Sequence, residues 1–187
     1  MKTKTTICLL AALLAISLFL SGPSIAMAAD TAAEIDRDVD SAIQKLYASS
    51  SAAKELSKVS KGVLVFPNVI KAGLIVGGQY GKGALRMKDK TVGYYNTAAA
   101  SYGLQAGAQS FGYALFFMTD SALEYLKTSS GWEIGVGPSI VIVDEGVARS
   151  LTTSTAKDDI YAFFFSQKGL MAGIGLQGSK ITQIHPE

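Results

Sequence analysis

The stretch GVLVFPNVIKAGLIVGGQ, Gly62 to Gln79, decides how this chain folds. It holds two short runs rich in β-branched residues, Gly62 to Pro67 and Ala72 to Gln79, parted by Pro67-Asn68. Such runs bounded by turn residues are the pattern of strands. The same pattern returns in YALFFM (Tyr113 to Met118), SIVIV (Ser139 to Val143) and IYAFFF (Ile160 to Phe165), with Gly81-Lys82-Gly83 and Asp144-Glu145-Gly146 as further turns. Only DSALEYLK, Asp120 to Lys127, reads as a helix among them, with Ser121 and Glu124 at capping-box spacing. No long helical spacers alternate with the strands, which argues against a parallel sheet. The predicted fold is α+β and predominantly antiparallel β: a curved sandwich or partly closed barrel with an N-terminal helix and one short internal helix.

Upstream, residues 29–61 read as a helical segment packed on the domain. Thr31 and Glu34 fit a capping box, and Ile35, Val39, Ile43 and Leu46 recur at helical spacing. Ser49-Ser50-Ser51 predicts an interruption, after which Leu56 and Val59 continue the apolar pattern. The β-rich part, 62–187, completes one structural unit with this helix.

Residues 1–28 have the order of a secretory leader: Lys2 and Lys4, an apolar run from Ile7 to Leu20, then Ala26-Met27-Ala28 as a cleavage site. Cys8 is the only cysteine and lies inside the apolar run, so the exported chain has no disulfide or thiolate chemistry. Removing 28 of the 187 residues leaves 159, enough for one domain with a real core. It also removes two lysines, leaving 15 basic residues against 15 acidic ones. That balance gives no basic excess with which to displace the counterions of a nucleic acid.

GIGLQGSK, Gly173 to Lys180, spells G-x-G-x-x-G. A dinucleotide fingerprint needs a following helix and an acidic residue about 20 positions on. Here the chain alternates like a strand from Ser179 to Ile184 and ends at Glu187. GGQYGKG, Gly77 to Gly83, lacks the hydroxyl that a phosphate loop places on magnesium. No nucleotide is expected. A weak echo, G-L-x-x-G, begins at Gly73, Gly103 and Gly169, at unequal intervals of 30 and 66 residues. Unequal spacing argues against a solenoid, and glycines in strands point to bends or close backbone approach.

Asp36, Asp38 and Asp40 open like a calcium loop, but Ser41 and Tyr47 stand where its glycine and glutamate belong. On a helix these carboxylates are expected to form a solvated face. His185 is the only histidine and lies near the end of the chain, so no histidine triad or histidine metal site can be assembled. Asp158-Asp159 could act as an acid pair, but adjacent carboxylates in a turn before a strand are common. No catalytic residue, metal or cofactor is assigned, and the chain is not expected to be an enzyme.

Taken together, the segments resemble the SYLF-domain family, a lipid-binding module. The resemblance rests on KGVLVFP with VIKAG (Lys61 to Gly73), IVGGQYGKG (Ile75 to Gly83), YGLQAGAQ (Tyr102 to Gln109), LFFMTD (Leu115 to Asp120) and KGLMAGIGLQGSKIT (Lys168 to Thr182). AKDDIYAFFFSQKGLMAG, Ala156 to Gly173, is most similar to the secreted bacterial branch. The resemblance implies a β-rich domain that binds phospholipid. For eukaryotic members it implies phosphoinositide binding through an N-terminal amphipathic helix with basic surface, and in some of them actin bundling. Here the helix carries Glu34, Asp36, Asp38 and Asp40 against Arg37 and Lys45, which an anionic bilayer repels. An exported chain does not meet cytoplasmic actin either. A phospholipid or membrane surface in the periplasm or cell envelope is the expected partner.

The densest positive cluster is Lys54, Lys58, Lys61, Lys71, Lys82, Arg86, Lys88 and Lys90, within 37 residues. The expected lipid-binding residues are Lys58, Lys61, Lys71, Lys82, Arg86 and Lys88, with Tyr80 and Tyr102 at the interface and Lys180 as a further surface cation. The competing account is that these lysines guard turns and edge strands against aggregation. The competing function is a structural or protein-interaction module of the envelope.

Overall fold

The computed structural model describes residues 31–73, 76–102, 107–169, 176 and 178–187. The expected leader lies outside these residues, as do Leu74-Ile75 and Gly103 to Ala106 of the glycine echo and Gly173 to Gly175 of the phosphate-loop lookalike.

Helix α1, Ala32–Ser49, starts where predicted. The Thr31 amide donates to Glu34 Oε2 at 2.9 Å, and the Glu34 amide donates to Thr31 Oγ1 at 3.3 Å. Its apolar stripe, Ile35, Val39, Ala42 and Leu46, is buried. Ser50 ends it, and the Ser50 hydroxyl accepts from the Ala53 amide to cap α2, Ser51–Ser57.

Eight strands follow: β1 Gly62–Gly73, β2 Val76–Met87, β3 Lys90–Tyr102, β4 Gly107–Phe117, β5 Trp132–Glu133, β6 Ile140–Val143, β7 Ile160–Gly169 and β8 Lys180–Ile184. Helix α3, Asp120–Thr128, precedes β5, and α4, Glu145–Ser150, lies between β6 and β7. The strands form one sheet in the order β5-β8-β3-β2-β1-β4-β7-β6, curled into a half-barrel. Every pairing is antiparallel except β6 with β7. The partly closed barrel is thus the form this α+β fold takes.

The sheet is covered on both faces over part of its length. Leu64, Phe66, Leu85, Tyr113, Leu115 and Phe117 face inward, against α3, Trp132 and Ile181. Val63, Val65, Ala84, Ala114, Phe116 and Phe163 face α1 and α2. Burial on both faces explains why GVLVF and YALFF are unbroken apolar runs rather than alternating ones.

Three expected turns are not turns. Pro67-Asn68 lies within β1, where the pairing slips between Phe66 and Val69. Proline has no N–H for the ladder, and a bulge absorbs it. Gly81-Lys82-Gly83 lies within β2, opposite this bulge. A Cβ on Gly83 would sit 2.1 Å from the Val65 carbonyl oxygen, and one on Gly81 would sit 2.8 Å from that of Asn68. These glycines let two backbones touch. Asp144-Glu145-Gly146 is a helix start: Asp144 Oδ1 accepts from the Val147 amide at 2.8 Å.

The hairpin between β2 and β3 turns at Lys88 and Asp89, both with positive φ, the conformation a two-residue connection requires. Strand β3 is absent from the predicted strands. The cap of α3 is Thr119 rather than Ser121, its hydroxyl accepting from the Ala122 amide. Asp159 ties this cap to the loop before β6, accepting from the Thr119 hydroxyl at 3.0 Å and the Ser139 amide at 3.1 Å. The bond from the Ser139 backbone, and then that from Thr119, hold its carboxyl below the usual range.

Two outcomes follow from these contacts. Gly83→Ala should destabilise the fold by about 1–3 kcal/mol or more, read from urea unfolding, because the obstacle is backbone. The depressed Asp159 carboxyl contributes stability above its unfolded pKa of about 4 that is lost as pH falls through its lower folded value. Thermal melts of Asp159→Asn should therefore depend less on pH on the acid side than those of the parent chain.

Candidate lipid-binding surface

Of the carboxylates expected to form a solvated face on α1, Asp38 and Asp40 are exposed, while Asp36 is drawn in against the sheet. Asp36 and Asp40, one turn apart, flank the buried stripe and close on the sheet. Arg86 Nη2 donates to Asp40 Oδ1 at 2.7 Å and to the Asp36 carbonyl at 3.1 Å, and lies 3.5 Å from Asp36 Oδ1. Thr91 Oγ1 donates to Asp36 Oδ1 at 2.6 Å, and the Tyr94 hydroxyl donates to Asp36 Oδ2 at 3.0 Å. Burial, and then Asp36, push the Tyr94 hydroxyl up from its ordinary range. The Arg86 side chain is only 12% exposed. This clasp fastens α1 to β2 and β3.

The nine expected site residues fall in three places. Lys58, Lys61, Arg86 and Lys88 line a cleft of about 470 Å³ beside Ile43 and Tyr47, between the helices and the turn end of β2. Lys58 bonds Glu55 at 2.6 Å and Lys61 lies 3.2 Å from Asp120, so with Arg86 in its clasp three of these cations already have mates.

Lys71, Tyr80 and Tyr102 belong to the other end of the strands, where β1 leads to β2 and β3 to β4, and Lys82 stands mid-strand opposite Asn68 of the bulge. Tyr80 is 48% exposed. Lys82 is half-buried and shares a cleft of about 190 Å³ with Glu34, Asp38, Pro67 and Asn68. Tyr102 stands opposite Val76 in the backbone register. Lys180 is the third place, on β8 opposite Ala98 and Glu133. The turn at Gly178, with φ +76, leads directly into β8, so a strand follows this glycine motif, not a helix.

At the distal end of the strands the two faces differ. On the outward face, Glu133, Lys180, Ala98, Tyr80, Ile70, Ser110 and Lys168 form one cross-strand row, and Ala100, Gly78, Ala72 and Ala108 the next. On the inward face, Lys71 sits between Gln79 and Gln109. Gln79 Nε2 donates to Ser179 Oγ at 2.7 Å. Thr97 Oγ1, Gln109 Oε1 and the Tyr113 hydroxyl are buried without a completed hydrogen bond among the described residues. Burial pushes the Tyr113 hydroxyl well up, with nearby Thr97 opposing it weakly. Sequence reading missed Ile70 and Val76, which are 55% and 67% exposed. The available signal was the period-2 pattern of β1 and β2 beyond Pro67.

Residues 98–186, from late β3 through β8, match the family model Ysc84, described as Las17-binding protein actin regulator. That stretch is thus similar to the SYLF family that the sequence motifs indicated. This family suggests lipid binding or an actin-related role. No match to a curated protein was found.

The clasp is testable by a double-mutant cycle. Arg86→Ala and Asp36→Ala should each destabilise the fold, with a coupling of about 1 kcal/mol or more between them in chemical unfolding.

Proposed function

We propose that the protein is an exported, non-enzymatic phospholipid-binding protein of a bacterial cell envelope, and that it engages anionic phospholipid at the distal end of its sheet. One observation carries this reading: the segregation of charge. From Val69 to Lys82, from Asn96 to Phe111 and from Ser166 to Lys180, the chain has four lysines and no Asp or Glu. Among the described residues the carboxylates stand instead on the helices, on β5, at the β2–β3 turn, in the loops before α4 and β7, and at Glu187 after β8. Lys82 borders Glu34 and Asp38, and Lys180 stands opposite Glu133. Lys71 and Lys168 lie among uncharged positions of the distal strands, which therefore carry positive charge without acids of their own. Each lysine near an anionic leaflet contributes about 1 kcal/mol of attraction, so a few give reversible binding. Its location in the envelope follows from the leader read in residues 1–28.

The test is flotation of the protein, expressed as the full chain and recovered after export, with phosphatidylcholine vesicles with and without phosphatidylglycerol. It should float with the anionic vesicles and progressively less as salt rises through the screening range. Failure to float with either kind at low salt would falsify the reading.

A further inference from the structure

The strands reverse their polarity along their length. Near the helices the inward positions are apolar core and the outward ones are covered by α1 and α2. The small clefts beside α1 are bounded on the β1–β2 hairpin by Pro67, Asn68 and Lys82. Beyond that line, Lys71, Gln79, Thr97 and Gln109 face inward, and Ile70, Val76 and Tyr80 face outward with the alanines at 72, 98, 100 and 108. All of these outward positions are exposed. In water a half-covered sheet places its polar side chains outside. Apolar-out with polar-in is the pattern of strands that face lipid.

We infer that this outward face enters the apolar region of an anionic phospholipid bilayer, and that it, rather than α1, is the membrane-contacting element. The inference rests on the lipid reading above and says which surface carries it. Charge complementarity selects the occupant. Lys168 ends the row that holds Ile70 and Tyr80 on one side, and Lys180 continues it on the other, where Glu133 closes it. Lys82 stands one step back toward α1, and the β1 to β4 positions of both rows carry no carboxylate. An exposed apolar patch bordered by cations matches a surface whose headgroups are negative and whose interior is hydrocarbon. Tyr80, with an apolar ring and a polar tip, suits the boundary between them.

Depth follows from strand length. A spanning strand needs about 9–11 residues. The patch extends over about four residues of each strand, roughly 13 Å at 3.3 Å per residue, so it reaches interfacial depth and does not cross. Helix α1 cannot substitute while folded, because its apolar stripe is buried and its Asp36 and Asp40 are held in the clasp.

The only cysteine is Cys8, so single-cysteine labelling on a Cys8→Ser background is direct. Val76→Cys, Ile70→Cys and, on the exposed side of α1, Lys45→Cys would each carry an environment-sensitive fluorophore and be mixed with phosphatidylcholine–phosphatidylglycerol vesicles. The fluorophore at 76 and at 70 should shift to the blue, brighten several-fold and be quenched by lipid-borne quenchers, while that at 45 stays unchanged. A lipid-dependent shift at 45 with none at 76 overturns the inference in favour of the helix. Flotation without a shift at any position overturns it in favour of headgroup docking alone. A shift at 76 that needs no vesicles and grows with protein concentration overturns it in favour of self-association. Loss of flotation altogether strikes the underlying lipid reading instead. Separately, Ile70→Asp with Tyr80→Asp should weaken vesicle partitioning about tenfold or more with the melting temperature preserved, since both side chains are exposed. Unchanged partitioning also overturns the inference.

Discussion

The close fit of the β1 bulge on two glycines of β2 is the constraint on which the rest of the molecule depends. Pro67 cannot donate to the ladder, so β1 must slip where it stands. Gly81 and Gly83 leave room for the displaced Val65 and Asn68 carbonyls. A bulge bends its strand and raises the local twist, and here it falls in the middle of a 12-residue strand. On one side of it the sheet is a two-faced scaffold with α3 inside and α1 outside. On the other side it is a bare curl with polar groups within and apolar groups without. The slip fixes which residues face the helix and which face outward, and so it precedes any question of lipid.

Helix α1 depends on this arrangement in turn. Its start is local, a reciprocal cap between Thr31 and Glu34. Its placement comes from Arg86, drawn from β2 to meet Asp36 and Asp40. Because the guanidinium is only 12% exposed, water competes poorly for it, and the pair resists salt better than a surface bridge would. The helix therefore spends its apolar stripe on the sheet and Asp36 and Asp40 on the clasp. Both make it a structural layer of this chain, and in the function proposed above the distal strands supply the contact with lipid.

Much of the fold was legible because its signals are local. Capping residues marked α1, Ser50 marked the break, and apolar runs marked β1, β4, β6 and β7. Strand β3 was not legible: Ala98, Ala99 and Ala100 carry no period, and its strand character comes from pairing with both β2 and β8. Pro67-Asn68 and Gly81-Lys82-Gly83 both resemble turns because each is half of one bulge, visible only when the strands lie side by side. The candidate site was legible in kind and not in place. Lysines 17 residues or less from one another, such as Lys71 and Lys88, are carried by a long strand to opposite ends of the sheet. Arg86 finds its carboxylate partners 46 and 50 residues upstream, beyond the reach of any sequence window.

Amide hydrogen exchange with and without anionic vesicles tests the central claim most directly, because it reads every segment at once. With phosphatidylglycerol-containing vesicles present, exchange should slow in the distal parts of β1 to β4, about residues 69–82 and 96–111, and stay unchanged through α1. Slowing confined to α1, with the distal strands unaffected, would contradict the account.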